Sequence, residues 1–464
     1  MLTYNFENIE GTLYEHVYNC IKSDIIAGVI KPGDKLPSKR SFARNNGVST
    51  ITIQNAYDQL ASEGYIYAIQ KKGYYVSDIS GINVLPKDSK IELDIKFPKE
   101  KHYGYDMASN QMNPDNFPFS IWAKLTREVI STRKDDLMKK SPMAGVLELR
   151  TAIAEHLKSF RGMLIDPNQI VVGAGTEYLY GVLVQLLGND KIYAIENPGY
   201  KKLVDIYKQY GVSPVYANIE DNGLTIEGLT ESEAQVAHIC PNHHFPTGIT
   251  MPVSRRYEML AWANEEESRY IIEDDYDSEF RRNGKPISTL FSIDACEKVI
   301  YMNTFSKSLT PTIRMSYMVL PMHLANRLYE KLSFLSCTVS NFEQYTLASF
   351  ILNGYFEKHI NRMRLYYSRK HGRVMDIIKE SSLGKRCEII ENDSGLHFII
   401  KLDTQIPDRE LGEKLREKGV KIKSLSEYYL RDEKAKEHLY IINYSNLNED
   451  ILRDACEQIY ACLS

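Results

Sequence analysis

The sequence predicts an α/β fold with a mostly parallel sheet, preceded by a small and mainly helical N-terminal domain. From about residue 101 onward, short apolar β-rich runs alternate with helical or turn segments. This rhythm is typical of a parallel sheet with helices on both faces. Before residue 78, three short helical patterns precede two short strands around a glycine turn. We therefore expect two domains in the 464-residue chain.

The composition excludes several classes of protein. A net charge of −4 gives no overall positive field toward nucleic acid, although it leaves room for a local basic patch. Seven dispersed cysteines without a CxxC pair predict reduced thiols, not a disulfide framework. The N-terminus carries acids and no long apolar core, and no stretch approaches the ~20 apolar residues of a membrane span. These features predict a soluble, cytoplasmic protein with no membrane partner.

The N-terminal domain begins with a helix whose apolar residues recur at every fourth position from Leu13 to Ile25. A second helix is predicted to start at Pro37-Ser38 and to stop at Gly47. Ser49 is the expected N-cap of a third helix. Two short strands, in YIYAIQKKGYYVS, follow it. Three helices and a hairpin predict a winged helix-turn-helix, whose third helix would enter the major groove of DNA.

The stretch GVIKPGDKLPSKRSFARNNGVSTITIQNAYDQLASEGYIYAIQKKGYYV resembles the GntR family of bacterial regulators. The resemblance implies that double-stranded promoter DNA is a partner. It implies phosphate contacts at the start of the second helix, from Ser38, Lys39 and Arg40. It implies groove-facing residues Ser49, Thr50, Thr52 and Gln54, and a wing formed by Lys71, Lys72 and Gly73. Thr50 departs from the family, which usually has an arginine or lysine there. The alternative is a domain for dimerisation or substrate gating.

The composition changes near residue 78, where DISGINVLPKDSKIELDIKFPKE is polar and irregular. The expected organisation is a DNA-binding domain over residues 1–77, a linker over 78–100, and an α/β domain over 101–464.

A lysine follows an apolar strand in KVIYMNTFSKSLTPTIRMSYMVLP. Burial or a nearby cation lowers the pKa of a lysine and makes it a nucleophile. An aldehyde cofactor that carries a phosphate would explain both Lys307 and the nearby Arg314. The hydroxyl groups of Thr304 and Ser306 could also reach that phosphate.

Other stretches complete such a site. The strand in RYIIEDDYDSEF delivers Asp274 to its carboxyl end, where an anion could face a protonated pyridine nitrogen. The turn in VVGAGTEYLYG places the backbone N–H groups of Gly175, Thr176 and Glu177 at a helix N-terminus, which predicts an anion site. Tyr200 follows another strand and could cover a flat ring.

These stretches, in this order, resemble the fold-type-I aminotransferases that use pyridoxal 5′-phosphate (PLP). With the N-terminal domain, the chain resembles the MocR/GabR subfamily of GntR regulators; FPFSIWAKLTREVI and HHFPTGITMPVSRR also fit. The resemblance implies that Lys307 binds the cofactor covalently and that Asp274 pairs with the pyridine nitrogen. It implies that Tyr276 bonds the phenolic oxygen, that Tyr200 stacks on the ring, and that His243 lies near the cofactor. It implies a phosphate site formed by Gly175, Thr176, Thr304, Ser306 and Arg314.

Two departures bear on the small-molecule effector. Phe245 precedes Pro246 where aminotransferases generally have asparagine. Ile441 stands where amino-acid-binding relatives carry an arginine that forks onto the substrate carboxylate. Lys202 and Arg431 are candidate substitutes; otherwise the effector is an amine, or PLP itself.

The remaining polar residues near these motifs are expected to have lesser roles. Asp275 and Asp277 are expected to be solvated or helix-capping, and the spacing of His243 and His244 predicts no metal site.

The sequence favours a transcriptional regulator that senses PLP or a PLP-reactive amine or amino acid, and the resemblance implies a homodimer. It leaves open a working aminotransferase, and a sensor of cofactor level alone.

Overall fold

The structure, a computed structural model, describes residues 2–6, 11–79, 97, 101–109, 112–282, 287–391, 395–430 and 435–463. Contacts within the chain divide it into two units, Met1–Glu100 and Lys101–Ser464, called here the head and the body. The predicted linker over residues 78–100 lies almost entirely outside the described residues.

The head contains three helices and one hairpin, as predicted. Its elements are α1 (Leu13–Ile26), α2 (Lys39–Asn46), α3 (Thr50–Ser62), β1 (Ile66–Ile69) and β2 (Gly73–Val76). Side chains cap two of these helices: Ser38 accepts a hydrogen bond from the Ser41 amide, and Ser49 from the Thr52 amide. Such caps satisfy backbone donors that have no partner within the helix.

One apolar core holds the head together. Its fully buried members include Val17 and Ile21 of α1, Phe42 of α2, and Ile53 and Leu60 of α3. Because each helix contributes one stripe to this core, the opposite sides of the helices face solvent.

The body is built on a large sheet and a smaller one. Its strands are β3 (Tyr105–Asp106), β4 (Ile170–Gly173), β5 (Tyr193–Asn197), β6 (Val215–Glu220), β7 (Gly223–Leu224), β8 (Val236–Ile239), β9 (Tyr270–Asp274), β10 (Val299–Thr304), β11 (Ser316–Val319), β12 (Cys387–Ile390), β13 (His397–Leu402), β14 (Val420–Lys421), β15 (Lys423–Ser424) and β16 (Leu439–Asn443). The large sheet has the order β4-β11-β10-β9-β8-β5-β6-β7, and the smaller has the order β12-β13-β16-β15.

Helices surround these sheets. They are α4 (Phe119–Thr132), α5 (Lys134–Leu137), α6 (Leu147–Arg161), α7 (Thr176–Leu187), α8 (Lys201–Gln209), α9 (Ile226–Glu231), α10 (Val253–Asn264), α11 (Leu290–Ile293), α12 (Phe305–Ser308), α13 (Met322–Leu332), α14 (Asn341–Leu352), α15 (Tyr355–Glu380), α16 (Asp408–Glu417) and α17 (Glu449–Ala461). On β10, Tyr301 packs in a core with α4, α6 and α14, whereas its neighbours Ile300 and Met302 pack in a core with α7 and α13. Both faces of the sheet are therefore covered by helices, which confirms the predicted architecture.

The strand directions bring several loops to one edge of the large sheet. The strands β6, β5, β8, β9 and β10 are parallel, and β11 runs antiparallel between β10 and β4. In the register, Asp274 pairs with Met302, Thr304 with Ser316, and Ser316 with Gly173. The carboxyl ends of β4, β9 and β10 and the start of β11 therefore meet at one edge, where ligands bind in open α/β sheets.

The head core supports a stability prediction. Replacing Ile53 with alanine removes a fully buried side chain, so we expect a loss of about 2–5 kcal/mol of head stability. Hydrogen exchange of the amides of α1, α2 and α3 in the full chain measures this loss as faster exchange. Ile51→Ala is the matched control, because Ile51 is 72% exposed. Unchanged exchange in Ile53→Ala would contradict the assigned core.

Candidate functional site

Lys307 lies in α12, the single helical turn that follows β10. Thr304 caps this turn by accepting a hydrogen bond from the Ser306 amide at 3.1 Å. The Lys307 ammonium nitrogen is 6.0 Å from the centre of the Tyr276 ring. Burial lowers the Lys307 pKa to about 8, although the nearby Asp277 carboxylate acts in the opposite direction. Lys307 is therefore a more available nucleophile near neutral pH than an exposed lysine.

Asp274 ends β9 beside this turn and has two unlike carboxylate oxygens. Its Oδ2 accepts a hydrogen bond from the Tyr180 hydroxyl at 2.6 Å and lies 3.6 Å from His238 Nε2. Its Oδ1 is buried and has no hydrogen-bond partner among the described atoms. A buried polar atom normally has a partner, so Oδ1 fits a donor such as the protonated nitrogen of a pyridine ring.

The Arg314 guanidinium group and the N-terminus of α7 lie beside each other at one end of the cavity. Arg314 adopts a left-handed backbone conformation (φ 49°), which is uncommon for a residue with a side chain. Gly175 has a positive φ (89°), which favours glycine, and a Cβ there would lie 2.7 Å from Arg314 Nη2 and would displace the guanidinium group. The helix α7 begins at the next residue, Thr176. A guanidinium group beside free helix N–H groups suits a phosphate.

Glu177 shares this corner of the site. Its carboxylate lies 3.4 Å from Arg314 Nη2 and also contacts the Lys202 ammonium group. These cations lower the pKa of Glu177, with the Lys202 hydrogen bond as the largest cause. A phosphate at Arg314 would therefore compete with Glu177.

A cavity of about 280 Å³ connects these groups. It brings together nine of the ten residues that the resemblance assigned to the cofactor: Gly175, Thr176, Tyr200, Asp274, Tyr276, Thr304, Ser306, Lys307 and Arg314. The Lys307 amine, the unpartnered Oδ1 of Asp274, and the corner formed by Arg314 and the start of α7, called here the phosphate corner, therefore face one cavity. The residues present fit PLP.

Several other singled-out residues do not line this cavity. His243 lies behind Tyr276, with its Nδ1 3.2 Å from the Tyr276 hydroxyl and 2.8 Å from Asp277 Oδ2. The Lys202 side chain is 52% exposed and paired with Glu177. Arg431 lies outside the described residues.

The expectation that Asp275 and Asp277 are solvated or helix-capping was wrong. Both are buried, at 2% and 3% exposure. Asp275 accepts hydrogen bonds from Tyr301 at 2.7 Å and Asn242 at 2.8 Å and forms an ion pair with Arg161. The chain after β9 continues through the interior, so each carboxylate needs a buried partner.

Sequence reasoning missed the residues that hold Asp274. Besides Tyr180 and His238, they include Tyr207, whose hydroxyl lies 2.7 Å from His238 Nδ1. The signal available was a histidine within VAHI, an otherwise apolar buried strand. Glu196 also lines the cavity, and burial raises its pKa to about 8.

The wall of the cavity around Phe245 is aromatic. Phe245 lines the cavity, 6.3 Å from Tyr200 and 5.2 Å from Tyr428 between ring centres. Ile441 of β16 pairs in register with Ile399 and is buried, but it is not among the residues that line this cavity.

The head presents a second candidate site on α2, α3 and the wing. Arg40, Thr50, Lys71, Lys72 and Gly73 are exposed, as are the capping residues Ser38 and Ser49. The turn at the wing uses positive φ at Lys71 (62°) and Gly73 (115°).

Four of the predicted DNA-contact residues of the head are engaged with one another or with neighbours. Lys39 contacts the Gln54 amide oxygen and lies 3.3 Å from the Tyr74 hydroxyl. The Thr52 hydroxyl lies 2.8 Å from the Ser49 hydroxyl.

The described residues hold no group of three or more His, Cys, Asp or Glu arranged for a metal ion. Within the same residues, no helix has the length and apolar character to cross a membrane.

The chain matches two family models. Residues 104–459 match "Aminotransferase class I and II", and residues 13–76 match "Bacterial regulatory proteins, gntR family".

Relatives match over nearly the whole length. The chain is 35% identical to "Uncharacterized HTH-type transcriptional regulator YdeL" of Bacillus subtilis, over 97% of this chain and 96% of that protein. It is 27% identical to "HTH-type pyridoxine biosynthesis transcriptional regulator PdxR" of Corynebacterium glutamicum, over 96% and 94%. A kynurenine aminotransferase of Pyrococcus horikoshii, solved with PMP, has a similar fold: TM-score 0.67, 23% identity, and coverage of 77% of this chain and 90% of that one.

The lowered pKa of Lys307 supports a prediction for the cofactor-free protein. Only the neutral amine reacts with an acylating reagent, so the Lys307 rate should rise with pH and level off above about 8. Peptide-resolved mass spectrometry measures the rate. Lys139 is the control, because its hydrogen bond to Asp136 raises its pKa. A Lys307 rate that is still rising in parallel with that of Lys139 at pH 10 would contradict the assignment.

Proposed function

The chain belongs to the class I and II aminotransferase family and carries a gntR-family head, and on this basis we propose that it is a PLP-dependent transcriptional regulator. One observation carries the proposal: relatives described as HTH-type transcriptional regulators match over nearly the full chain, head and body together.

Different residues of the body would bind different parts of the cofactor. PLP supplies an aldehyde that condenses with amines and a ring that accepts electrons. Lys307 is the amine for that aldehyde, and Asp274, oriented by Tyr180 and His238, provides the anion for the ring nitrogen. Arg314 and the start of α7 hold the phosphate.

Regulation requires that ligand binding favours one arrangement of the heads. A ligand shifts an equilibrium only by its difference in affinity for the two states. We propose a homodimer, in which two heads would read two half-sites. PLP, or an amine that displaces Lys307 from it, is the proposed effector.

A working aminotransferase is the second candidate, favoured by the nearly complete set of cofactor residues around the cavity. Ile441 argues against efficient turnover of amino acids, because an aliphatic side chain cannot hold a carboxylate as arginine does. Sustained keto-acid formation from an amino donor would favour this candidate.

The central test compares wild-type protein with Lys307→Ala. In wild type, PLP should change the affinity for the promoter of the protein's own gene, or for a duplex enriched from a random library, by about fivefold or more. Borohydride should fix a PLP mass on the Lys307 peptide. Both effects should be lost in the variant. A variant that still fixes that mass and still responds to PLP would refute the role of Lys307. Added amines then distinguish a cofactor-level sensor, which ignores them, from an amine sensor.

Arg40 provides a separate test of the head. Arg40→Ala should weaken binding to all duplexes alike and reduce the slope of log K against log salt by about one, because one phosphate contact is lost. Titrations at several salt concentrations measure this slope. Arg409→Ala, which changes an exposed arginine of the body, is the control. A loss confined to one base position would contradict the phosphate role.

A further inference from the structure

The helix α3 carries no lysine or arginine among its thirteen residues, TITIQNAYDQLAS. Arginine and lysine are the side chains that most often read guanine in the major groove, through its O6 and N7 atoms. If α3 enters the groove, it therefore lacks the usual means of selecting G·C pairs.

Several polar side chains of α3 are occupied within the head. The Gln54 amide donates to Asp58 at 2.8 and 2.6 Å, and its oxygen accepts from Lys39. Thr52 pairs with Ser49. These groups would have to break existing contacts before they could bind a base.

Three residues of α3 remain exposed and are not engaged in this way: Thr50, Ile51 and Asn55. Within the described part of the chain, neither the Thr50 nor the Asn55 side chain has a hydrogen-bond partner. Ile51, the second residue of the helix, is 72% exposed. At 3.6 residues per turn it lies roughly opposite the buried stripe of Ile53 and Leu60, so the head core does not use it.

The surroundings of Ile51 favour DNA as the surface it meets. In helix-turn-helix proteins, the N-terminal residues of the recognition helix contact base edges. The exposed Arg40 of α2 and Lys71 and Lys72 of the wing are the residues expected at the flanking phosphates. Asn55 lies one turn beyond Ile51 on the same side of α3.

We propose that Ile51 reads thymine methyl groups in the major groove and that Asn55 reads an adjacent adenine, so that each half-site is centred on A·T pairs. Apolar side chains contact the thymine methyl group, and asparagine bonds adenine at N6 and N7. This inference rests on the proposed DNA-binding function of the head.

The test uses the full chain loaded with PLP. A duplex is first enriched from a randomised library, and each thymine of its half-site is then replaced by deoxyuridine, which removes only the methyl group. At one or two positions, wild-type binding should weaken about fourfold, as expected for the loss of one buried methyl-sized group. Ile51→Ala should bind the thymine and deoxyuridine duplexes equally.

Ile26→Ala is the matched control, because Ile26 is an exposed isoleucine (37%) on α1; it should keep the fourfold difference. Equal binding of both duplexes by wild type would overturn the inference. Retention of the difference by Ile51→Ala, or an enriched half-site centred on G·C pairs, would also overturn it. A library from which no sequence is enriched would refute the DNA-binding function itself.

Discussion

The cofactor site depends on the burial of the Lys307 side chain in the body. An ammonium group loses hydration on burial, and the Lys307 pKa falls to about 8 because the interior does not replace that hydration. The parallel pairing of β9 with β10 sets Asp274 beside Met302, five positions before Lys307. A nucleophilic amine, one turn after β10, and a carboxylate with one unpartnered oxygen, at the end of β9, thus lie at the ends of neighbouring strands. The strands β4 and β11 bring the phosphate corner to the same edge. The proposed binding of the cofactor therefore requires the same feature as the fold, namely that these strand ends are adjacent at one edge of the sheet.

The sequence predicts well those features that depend on local pattern. Strand ends, helix caps and turn glycines are local, so the head, the mostly parallel sheet and the residues that follow β9 and β10 could be recognised. Interactions between residues that are distant in sequence could not be recognised in this way. Asp275 pairs with Arg161, 114 positions earlier, and no local signal distinguishes a carboxylate with such a partner from a solvated one. Tyr180 and His238 meet Asp274 from two other elements. In the head, Lys39 and Gln54 meet because α2 packs against α3.

The apolar surface that Phe245 presents to the cavity, with Tyr428 packed against it, limits the effectors that the proposed sensor could take. An apolar wall offers dispersion and burial but no counter-charge. A carboxylate placed there would lose its hydration without compensation. The phosphate corner, in contrast, contains Arg314 and the Glu177 carboxylate, and the exposed Lys202, which does not line the cavity, also pairs with Glu177. Negative charge on a ligand is therefore better accommodated at this corner than at the wall.

In the head, the core residues, the proposed phosphate contacts and the proposed base contacts are different residues, and this separation has an evolutionary consequence. The side of α3 that packs into the head core is the stripe of Ile53 and Leu60, and the basic residues proposed to contact phosphates lie on α2 and the wing, whereas Ile51 and Asn55 belong to neither set. Under the proposal, mutations at these two positions can therefore change the preferred operator sequence. The folding of the head and its contacts with the DNA phosphates would be retained. After gene duplication, copies with the same sensing body could diverge to control different genes through very few substitutions.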